Sequence, residues 1–230
     1  MSGTPADAVM GDGLDGGVPA HYGDPLREQR LLVEGLAVVD LSSRDVVTVT
    51  GPDRLTWLNS LSSQKLDTLR PRHSVEALLL SPHGHIEHVL HLVDDGTTTW
   101  LVVERGTATD LVAYLDRMRF MLRVEVADVT AGWAVVGEPV GRESVVGEAV
   151  AWVDPWPRTG DVSVAYGSTD LEHIGRDWSW REVLVPRGDL PAVLTERPRA
   201  GTWALEALRV AAGRPRHLRE LALPPARQRQ

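Results

Sequence analysis

The strongest candidate for metal chemistry is the segment His83-Gly84-His85-Ile86-Glu87-His88, which is followed by His91. Imidazoles two residues apart, together with a carboxylate, can supply three ligands to a zinc or iron ion. If the segment continues as a strand, however, His88 shares a face with Ile86, whereas Glu87 and His91 point the other way. The group then does not converge on one point. We interpret it as a partly exposed histidine cluster beside a turn, and we predict no metal site.

A second group of potentially reactive side chains is Asn59-Ser60-Leu61-Ser62-Ser63-Gln64, at the end of a predicted helix. A nucleophilic serine needs a base beside it, and no base lies at a recognisable spacing. Serine and asparagine at helix ends commonly hydrogen-bond to backbone groups. We therefore predict no catalytic residues here.

A third group consists of Arg117, Arg119 and Arg123, which surround Met118 and Phe120. The guanidinium fork suits a carboxylate or phosphate, but exposed arginines on helices are also commonly solvated. The sequence leaves both interpretations open.

Composition limits the classes of protein that need to be considered. The chain has 230 residues, 43% hydrophobic and 24% charged, and a formal net charge of -8. The length suits one large domain or two small ones, and the charge argues against a dedicated nucleic-acid binder. The chain has no cysteine, so disulfides, thiolate chemistry and a self-ligated iron–sulfur cluster are excluded. With no long apolar span and no signal-peptide pattern, we expect a cytoplasmic protein without membrane contact.

The elements that must position these residues follow from hydrophobic periodicity. Before residue 130 the pattern predicts two strands, a helix, three strands, a helix and a strand. The first two strands, Leu36 to Asp40 and Val46 to Thr50, read as a hairpin or a tight connection. Thr107 is the predicted N-cap of the second helix, with Leu122 on its apolar face. This order favours an antiparallel α+β domain over a doubly wound sheet.

The second half of the chain resembles a degenerate copy of the same series. Strand-like runs include Trp133 to Gly137 and Val162 to Tyr166, and helical patterns include Trp203 to Ala212. We therefore expect a duplicated α+β fold of two strand-strand-helix-strand-strand-strand-helix subdomains. The expected organisation is a disordered lead (1–20), a first subdomain (21–129), a second subdomain (130–216) and a disordered or aberrant tail (217–230).

Four stretches, taken in order, carry a family resemblance. GLAVVDLSSRDVVTVTGPDRLTWLNSL, LLLSPHGHIEHVLHLV, YLDRMRFMLRVEVADVT and WALEALRVAAGRPR together resemble the YgfZ-type folate-binding proteins, relatives of the glycine-cleavage T-protein, an aminomethyltransferase. The resemblance implies two repeated folate-binding subdomains followed by a C-terminal β-barrel. It also implies tetrahydrofolate in a central channel and a role in maintaining iron–sulfur enzymes, some of which modify tRNA.

The resemblance also implies two cofactor-binding positions. The first is Arg44, which ends the stretch from Asp40 and whose planar guanidinium can stack on a pterin. The second is Trp203, at the start of the last helix, although an ungapped match falls on Leu205 instead. We expect Arg209 to pair with Glu206 rather than with a ligand.

Departures from the family pattern shape the functional expectation. The T-protein turn G-G-x-x-D-D begins at Gly84, and its aspartate positions fall on His88 and Val89, which disfavours aminomethyl transfer. The YgfZ hallmark K-G-C-Y-x-G-Q-E and the barrel have no counterpart after the GRPR segment, so we expect a truncated or frame-shifted member, or a short paralogue. The expected function is a non-catalytic tetrahydrofolate-binding accessory protein. A folate-dependent one-carbon transferase and a ligand-free interaction module are the alternatives.

Overall fold

The computed structural model describes residues 8–147, 149–157 and 173–216. The predicted strand Val162 to Tyr166 and the tail after residue 216 therefore lie outside the described residues. None of the described helices is long and apolar enough to cross a membrane. The elements are strands β1 (Val9–Met10), β2 (Pro19–His21), β3 (Val38–Asp40), β4 (Asp45–Thr50), β5 (Ser74–Leu80), β6 (Ile86–Asp94), β7 (Thr98–Val103), β8 (Glu125–Asp128), β9 (Trp133–Pro139), β10 (Ala151–Val153), β11 (Trp180–Pro186) and β12 (Arg199–Ala200), and helices α1 (Pro25–Val33), α2 (Arg54–Leu61), α3 (Ala108–Met118), α4 (Leu190–Val193) and α5 (Thr202–Ala211).

The first sheet has the order β5-β6-β7-β4-β8, and all of its described pairs are antiparallel. Alternate residues of β6 point to opposite faces, as the period of a strand requires. Leu90 and Leu92 pack in a core beside α2 and α3, together with Trp57 and Leu111. The opposite face of β6 points toward the second sheet.

The second sheet has the order β10-β11-β9-β3-β12, in which β3 pairs antiparallel with β9 and parallel with β12. Strands β3 and β4 therefore lie in different sheets, so of the two predicted alternatives the tight connection is observed and the hairpin is not. The chain turns between them, where the backbone N–H of Arg44 donates to the carbonyl of Leu41 at 2.9 Å. The short, buried β3 pairs with β9 and β12, which lie far along the chain. The segment before β4 consequently helps to build the second sheet, although it was assigned to the first subdomain.

The two sheets share a buried core. Side chains of the first sheet, including Val93 and Trp100, pack with Val135 and Leu184 of the second and with Leu205 of α5. The predicted α+β class is confirmed in the described residues, where antiparallel pairs dominate both of the larger sheets.

The N-terminal segment differs from the expectation of a disordered lead from residue 8 onward. Strands β1 and β2 pair, and Val18 and Ala20 are buried. Helix α1 follows, with Pro25 in its first turn and the carboxylate of Asp24 accepting from the Arg27 backbone N–H at 3.0 Å. An Asp-Pro pair at a helix start was a local signal for α1 that the periodicity analysis missed.

Helix α3 begins where predicted but is capped differently. The Ala108 backbone N–H donates to the carboxylate of Asp45 on β4 at 2.9 Å, and Thr107 makes no side-chain cap bond. The helix ends at Met118, so Leu122 lies beyond it. Leu122 belongs to the turn that follows, in which its backbone N–H donates to the carbonyl of Arg119. A neighbouring strand supplied the cap, which helix pattern alone does not reveal.

Candidate functional site

A cavity of about 640 Å³ lies where the two sheets and α5 meet. Its volume falls within the range of small-molecule sites, roughly 300 to 1,000 Å³. Each of the two sheets, helix α5 and the segment that follows α5 contributes wall residues. They are Arg44, Glu76, Leu78, Ile86, Val89, His91, Val102, Val103, Glu104, Asp154, Trp156, Trp178, Trp180, Glu182, Leu205, Glu206, Arg209, Val210, Gly213, Arg214, Pro215 and Arg216.

Charged groups of alternating sign follow one wall of this cavity. Arg44 donates to Glu182, and Glu182 accepts from His91 at 2.9 Å. His91 faces Glu76 at 3.7 Å, and Glu76 accepts from Arg214. Arg214 in turn donates to Asp154 at 2.9 Å. This order places each carboxylate beside a cationic or ionisable neighbour, which burial of charge requires.

Glu182 is the most deeply buried carboxylate of this wall, with 1% exposure. Burial alone would raise its pKa, but the positive charge of Arg44 and the contact with His91 outweigh it and lower the pKa of Glu182 to about 2. The carboxylate is therefore ionised at neutral pH.

The tautomer of His91 follows from this charge. Because Glu182 can only accept, Nδ1 of His91 must carry the proton in their 2.9 Å contact. The imidazole is stacked on Trp152, with ring centroids 3.7 Å apart, and the Trp152 indole donates to the Val75 carbonyl at 2.8 Å. The orientation of the ring is thus fixed, and Nε2 points to Glu76.

Arg44 is the position that the resemblance assigned to the pterin, and it does lie in the cavity wall. The residue is buried, with 9% of its surface exposed. Its Nε–H is buried and has no hydrogen-bond partner among the described residues. An unsatisfied buried donor in a cavity wall is unfavourable unless a ligand or water supplies an acceptor.

A second charged group closes another part of the cavity around Arg216. Its guanidinium donates to Glu104 at 2.7 Å, to Glu206 at 3.1 Å and to Asp15 at 2.9 Å. Burial alone would raise the pKa of Glu104, but hydrogen bonds from Arg216 hold it below its usual range. One arginine therefore fastens the N-terminal segment, the end of β7 and helix α5 to each other.

The remaining walls are apolar and aromatic. Trp178 and Trp180 lie with ring centroids 5.9 Å apart, and Trp156 lies under the guanidinium of Arg214 at 5.6 Å. An aliphatic wall from the first sheet includes Ile86 and Val89. Together these surfaces suit a planar ligand with a polar edge.

Trp203, the second position that the resemblance assigned, does not line this cavity. Its side chain is 56% exposed, and its ring lies 5.0 Å from that of His21. Leu205, the position reached by the ungapped match, does line the cavity. The two residues differ by about 200° around α5, at about 100° per residue, so only one of them can face the cavity.

The histidines of the predicted cluster lie in different surroundings. His83 and His85 are exposed, and the described residues contain no group of three His, Asp or Glu side chains able to hold a metal ion. His91 instead joins the cavity wall. Ile86 also lines the cavity, next to the point where the register between β5 and β6 shifts at Leu79 and Leu80.

The other two candidate groups serve structure. The side chain of Asn59 accepts from the Leu66 backbone N–H at 2.8 Å, and Ser60 donates to the Trp57 carbonyl, as expected of groups at a helix end. Arg123 is paired with Asp53 at 2.8 Å. Arg119 is paired with Asp116 at 3.4 Å, so each of these two arginines has a carboxylate partner in the structure.

Sequence reasoning missed most of the charged wall. Glu76 and Glu182 are each the one acidic residue in a predominantly apolar strand, and that exception was the available signal. As predicted, Arg209 pairs with Glu206, but both also line the cavity.

Comparison with known proteins gives a class of fold. No protein-family model matches the chain, and no curated protein sequence matches it significantly. The solved structure of aminomethyltransferase T of the glycine cleavage system from Bartonella henselae is similar to this chain, with a TM-score of 0.67 and 18% sequence identity. The match covers 90% of this chain and 60% of the aminomethyltransferase chain. The chain therefore has the α+β fold of that aminomethyltransferase and spans about 60% of its length.

A further match is the heterotetrameric sarcosine oxidase from Corynebacterium sp. U-96 in complex with pyrrole 2-carboxylate. It covers 81% of this chain and 93% of the oxidase chain, with a TM-score of 0.39 and 11% identity.

Proposed function

We propose that this protein binds tetrahydrofolate in the cavity between its two sheets and does not catalyse aminomethyl transfer. The observation that carries the proposal is the cavity itself, with indole and aliphatic walls and the unsatisfied Nε–H of Arg44. The fold shared with an aminomethyltransferase and the sequence resemblance both favour a folate as the occupant.

The residues present fit such a ligand. Trp178 and Trp180 offer planar surfaces, and Arg44 offers a donor to an acceptor on a pterin edge. When bound, tetrahydrofolate would supply its N5 and N10 nitrogens as carriers of one-carbon units. This chain's own part would be to hold the ring and to exclude water around it.

The absence of catalysis is inferred from the wall carboxylates. Val89, at one of the positions where the resemblance expects an aspartate, lines the cavity with an apolar side chain. Each of the five lining carboxylates in the described residues is in an ion pair with an arginine, so none is available as a general base. The pairs are Glu76 and Asp154 with Arg214, Glu104 with Arg216, Glu182 with Arg44, and Glu206 with Arg209.

In the cell, we propose an accessory role of the YgfZ type, in which folate binding supports iron–sulfur enzymes, including enzymes that modify tRNA. This part of the proposal rests on the sequence resemblance. Because the chain has no cysteine, it contributes no thiol chemistry of its own.

The test is a titration of the purified protein with tetrahydrofolate, followed by tryptophan fluorescence. We expect saturable quenching, because three indoles line the cavity. Arg44→Lys should weaken binding about tenfold or more, since lysine lacks the planar fork. Arg54→Lys is the matched control, because Arg54 is equally buried and pairs with buried Asp94 outside the cavity.

Each outcome decides between the alternatives. A folded protein that shows no saturable binding would contradict the proposal and leave the ligand-free interaction module. Production of methylene-tetrahydrofolate from an aminomethyl donor would identify a one-carbon transferase instead. Equal loss of binding in Arg44→Lys and Arg54→Lys would show a general structural effect rather than a ligand contact.

A further inference from the structure

Arg44 differs from the other arginines of the cavity wall in how its Nε–H is used. Four arginines line the described part of the cavity, and in three of them the Nε–H donates to a carboxylate. The acceptors are Glu206 for Arg209 at 3.1 Å, Asp154 for Arg214 at 2.9 Å and Glu104 for Arg216 at 2.7 Å. The Nε–H of Arg44 is buried and has no acceptor among the described residues. Within the described wall, Arg44 is therefore the arginine whose Nε–H is left for a ligand.

This donor belongs to one edge of the guanidinium. Arg44 donates to Glu182 through Nη1, and His91 also approaches Nη1, at 3.5 Å. In a planar guanidinium, Nε–H and one N–H of Nη2 lie side by side on the edge opposite Nη1 and point in the same direction. Nη2 makes no hydrogen bond to the described residues either. Arg44 therefore presents a fork of two parallel donors on this edge.

The charges around the fork favour an uncharged ligand group. Glu182 already balances the charge of Arg44, and both groups are buried, so their separation would be costly. The described wall contains five carboxylates and four arginines, and this balance does not attract a further anion. A guanidinium fork also binds two adjacent neutral acceptors, as arginine does with O6 and N7 of guanine. We therefore expect a heterocyclic edge with two adjacent acceptors on the fork.

A pterin ring has such an edge at O4 and N5, which are arranged like O6 and N7 of guanine. In folic acid and in 7,8-dihydrofolate, N5 is double-bonded and unsubstituted, so O4 and N5 both accept hydrogen bonds. In tetrahydrofolate N5 carries a hydrogen, and in 5-substituted tetrahydrofolates it also carries a carbon group. The reduced forms therefore place a hydrogen or a carbon substituent where the fork needs an acceptor.

We propose that the open edge of Arg44 binds O4 and N5 of the pterin, so that the site distinguishes folates by the state of N5. Folic acid and 7,8-dihydrofolate then bind more tightly than tetrahydrofolate, and 5-methyltetrahydrofolate binds most weakly. The inference rests on the proposed function, because it takes the ring to lie against Arg44. It also agrees with the proposed absence of aminomethyl transfer, because a fork on N5 covers an atom that would carry the one-carbon unit.

The experiment measures dissociation constants for ring analogues by isothermal titration calorimetry. 5-Deazafolic acid replaces N5 of folic acid with C–H, whereas 8-deazafolic acid makes the same replacement at N8 and keeps N5. We expect 5-deazafolic acid to bind about tenfold more weakly than folic acid, because the buried Nε–H loses its acceptor, and 8-deazafolic acid to stay within about threefold. Tetrahydrofolate should bind about threefold to tenfold more weakly than 7,8-dihydrofolate.

Two variants locate the preference. Arg44→Lys keeps a positive charge beside Glu182 but lacks the fork, so folic acid and 5-deazafolic acid should bind to it within about twofold of each other. Arg54→Lys is the matched control, because the Nε and Nη2 of Arg54 already donate to Asp94 at 2.7 and 2.8 Å, outside the cavity. It should keep the wild-type ratio. If Arg44→Lys fails to fold, the two deaza analogues still decide the question on the wild type.

A carboxylate on the fork is the competing assignment, and the tail of folate without its ring tests it. N-(4-aminobenzoyl)glutamate carries both carboxylates of folate and has no O4–N5 edge. We expect its binding to be the same in the wild type and in Arg44→Lys. Weaker binding of this fragment by Arg44→Lys, with the wild-type preference for folic acid over 5-deazafolic acid retained, would place a carboxylate on the fork and contradict the inference.

The outcomes separate this inference from the proposed function. Equal binding of folic acid and 5-deazafolic acid by the wild type would overturn the role of N5 and leave folate binding intact. Binding of tetrahydrofolate without binding of folic acid would have the same meaning. An unchanged ratio in Arg44→Lys would assign the preference to another group and would also overturn the inference. If the folded wild type binds none of these folates, the proposed function fails, and this inference fails with it.

Discussion

His91 on β6 and Glu182 on β11 are joined by a hydrogen bond of 2.9 Å that crosses from one sheet to the other. The bond links two strands that lie 91 residues apart in the chain. It occurs in the wall of the cavity, so the same contact holds the sheets together and shapes the candidate site. Stability and ligand binding should therefore respond together when this wall is altered.

The first prediction concerns acid stability. The folded-state pKa of Glu182 is about 2, below its ordinary value of 4.5, so its contribution is fully present above about pH 4.5 and is lost as the pH falls toward 2. A shift of this size corresponds to about 3 kcal/mol. The measurement is urea unfolding at pH 5.5 and at pH 3. Glu182→Gln should have a lower free energy of unfolding than the wild type at pH 5.5, and this free energy should fall less between pH 5.5 and pH 3 than it does in the wild type.

The control for this prediction is Glu125→Gln, on the exposed edge strand β8. Its difference in stability between the two pH values should match that of the wild type. If Glu182→Gln showed the same difference as well, Glu182 would not carry the acid sensitivity.

A second prediction distinguishes two tryptophans. Trp203 is exposed on α5 outside the cavity, and Trp178 lies in the wall. Trp203→Phe should leave the dissociation constant for tetrahydrofolate within about twofold and keep the quenching, whereas Trp178→Phe should reduce the amplitude of quenching. If Trp203→Phe lost tetrahydrofolate binding and Trp178→Phe did not, Trp203 would be the tryptophan that contacts the ligand, as the resemblance implies.

A third prediction concerns backbone strain in the turn after α3. Met121 has a φ of 54°, a left-handed conformation that costs a non-glycine residue about 1 kcal/mol or more, and its side chain is 87% exposed. Met121→Gly should therefore raise the free energy of unfolding by about 0.5 to 1 kcal/mol. Arg117→Gly, inside α3, should lower it by up to about 1 kcal/mol. Destabilisation by both substitutions in thermal melts would contradict this account.

A fourth prediction tests the fastening of the N-terminal segment. Asp15 accepts from Arg216 at 2.9 Å and is buried. Asp15→Ala should free residues 8–18, and the Gly11 backbone N–H, which donates to the Val18 carbonyl at 2.8 Å, should exchange with solvent about tenfold faster.

Asp12→Ala is the matched control for this exchange measurement. Asp12 is exposed in the same turn and makes no side-chain cap bond. It should leave the exchange rate at Gly11 within about twofold of the wild type. Similar acceleration by the two variants would show that the ion pair with Arg216 does not hold the segment.

The local pattern of apolar residues was sufficient to predict most of the helices and strands. Alternating apolar residues predicted β6 and β7, and helical spacing predicted α2 and α3, because these periods reflect burial of one face and operate within a few residues. The α+β class followed from the order of those elements. Arg44, which the resemblance assigned to the pterin, lies in the cavity wall, and its contact with a ligand stays a prediction.

Pairing between distant segments was decided only by the tertiary structure. Nothing local to Val38–Asp40 indicates that β3 joins β9 and β12, because a strand's hydrogen-bond partners are chosen by which edges are free when the sheets assemble. The charged wall has the same origin. Glu76 and Glu182 can be buried in predominantly apolar strands only because folding brings Arg214 and Arg44 to them, and a buried charge is stable only when it is paired.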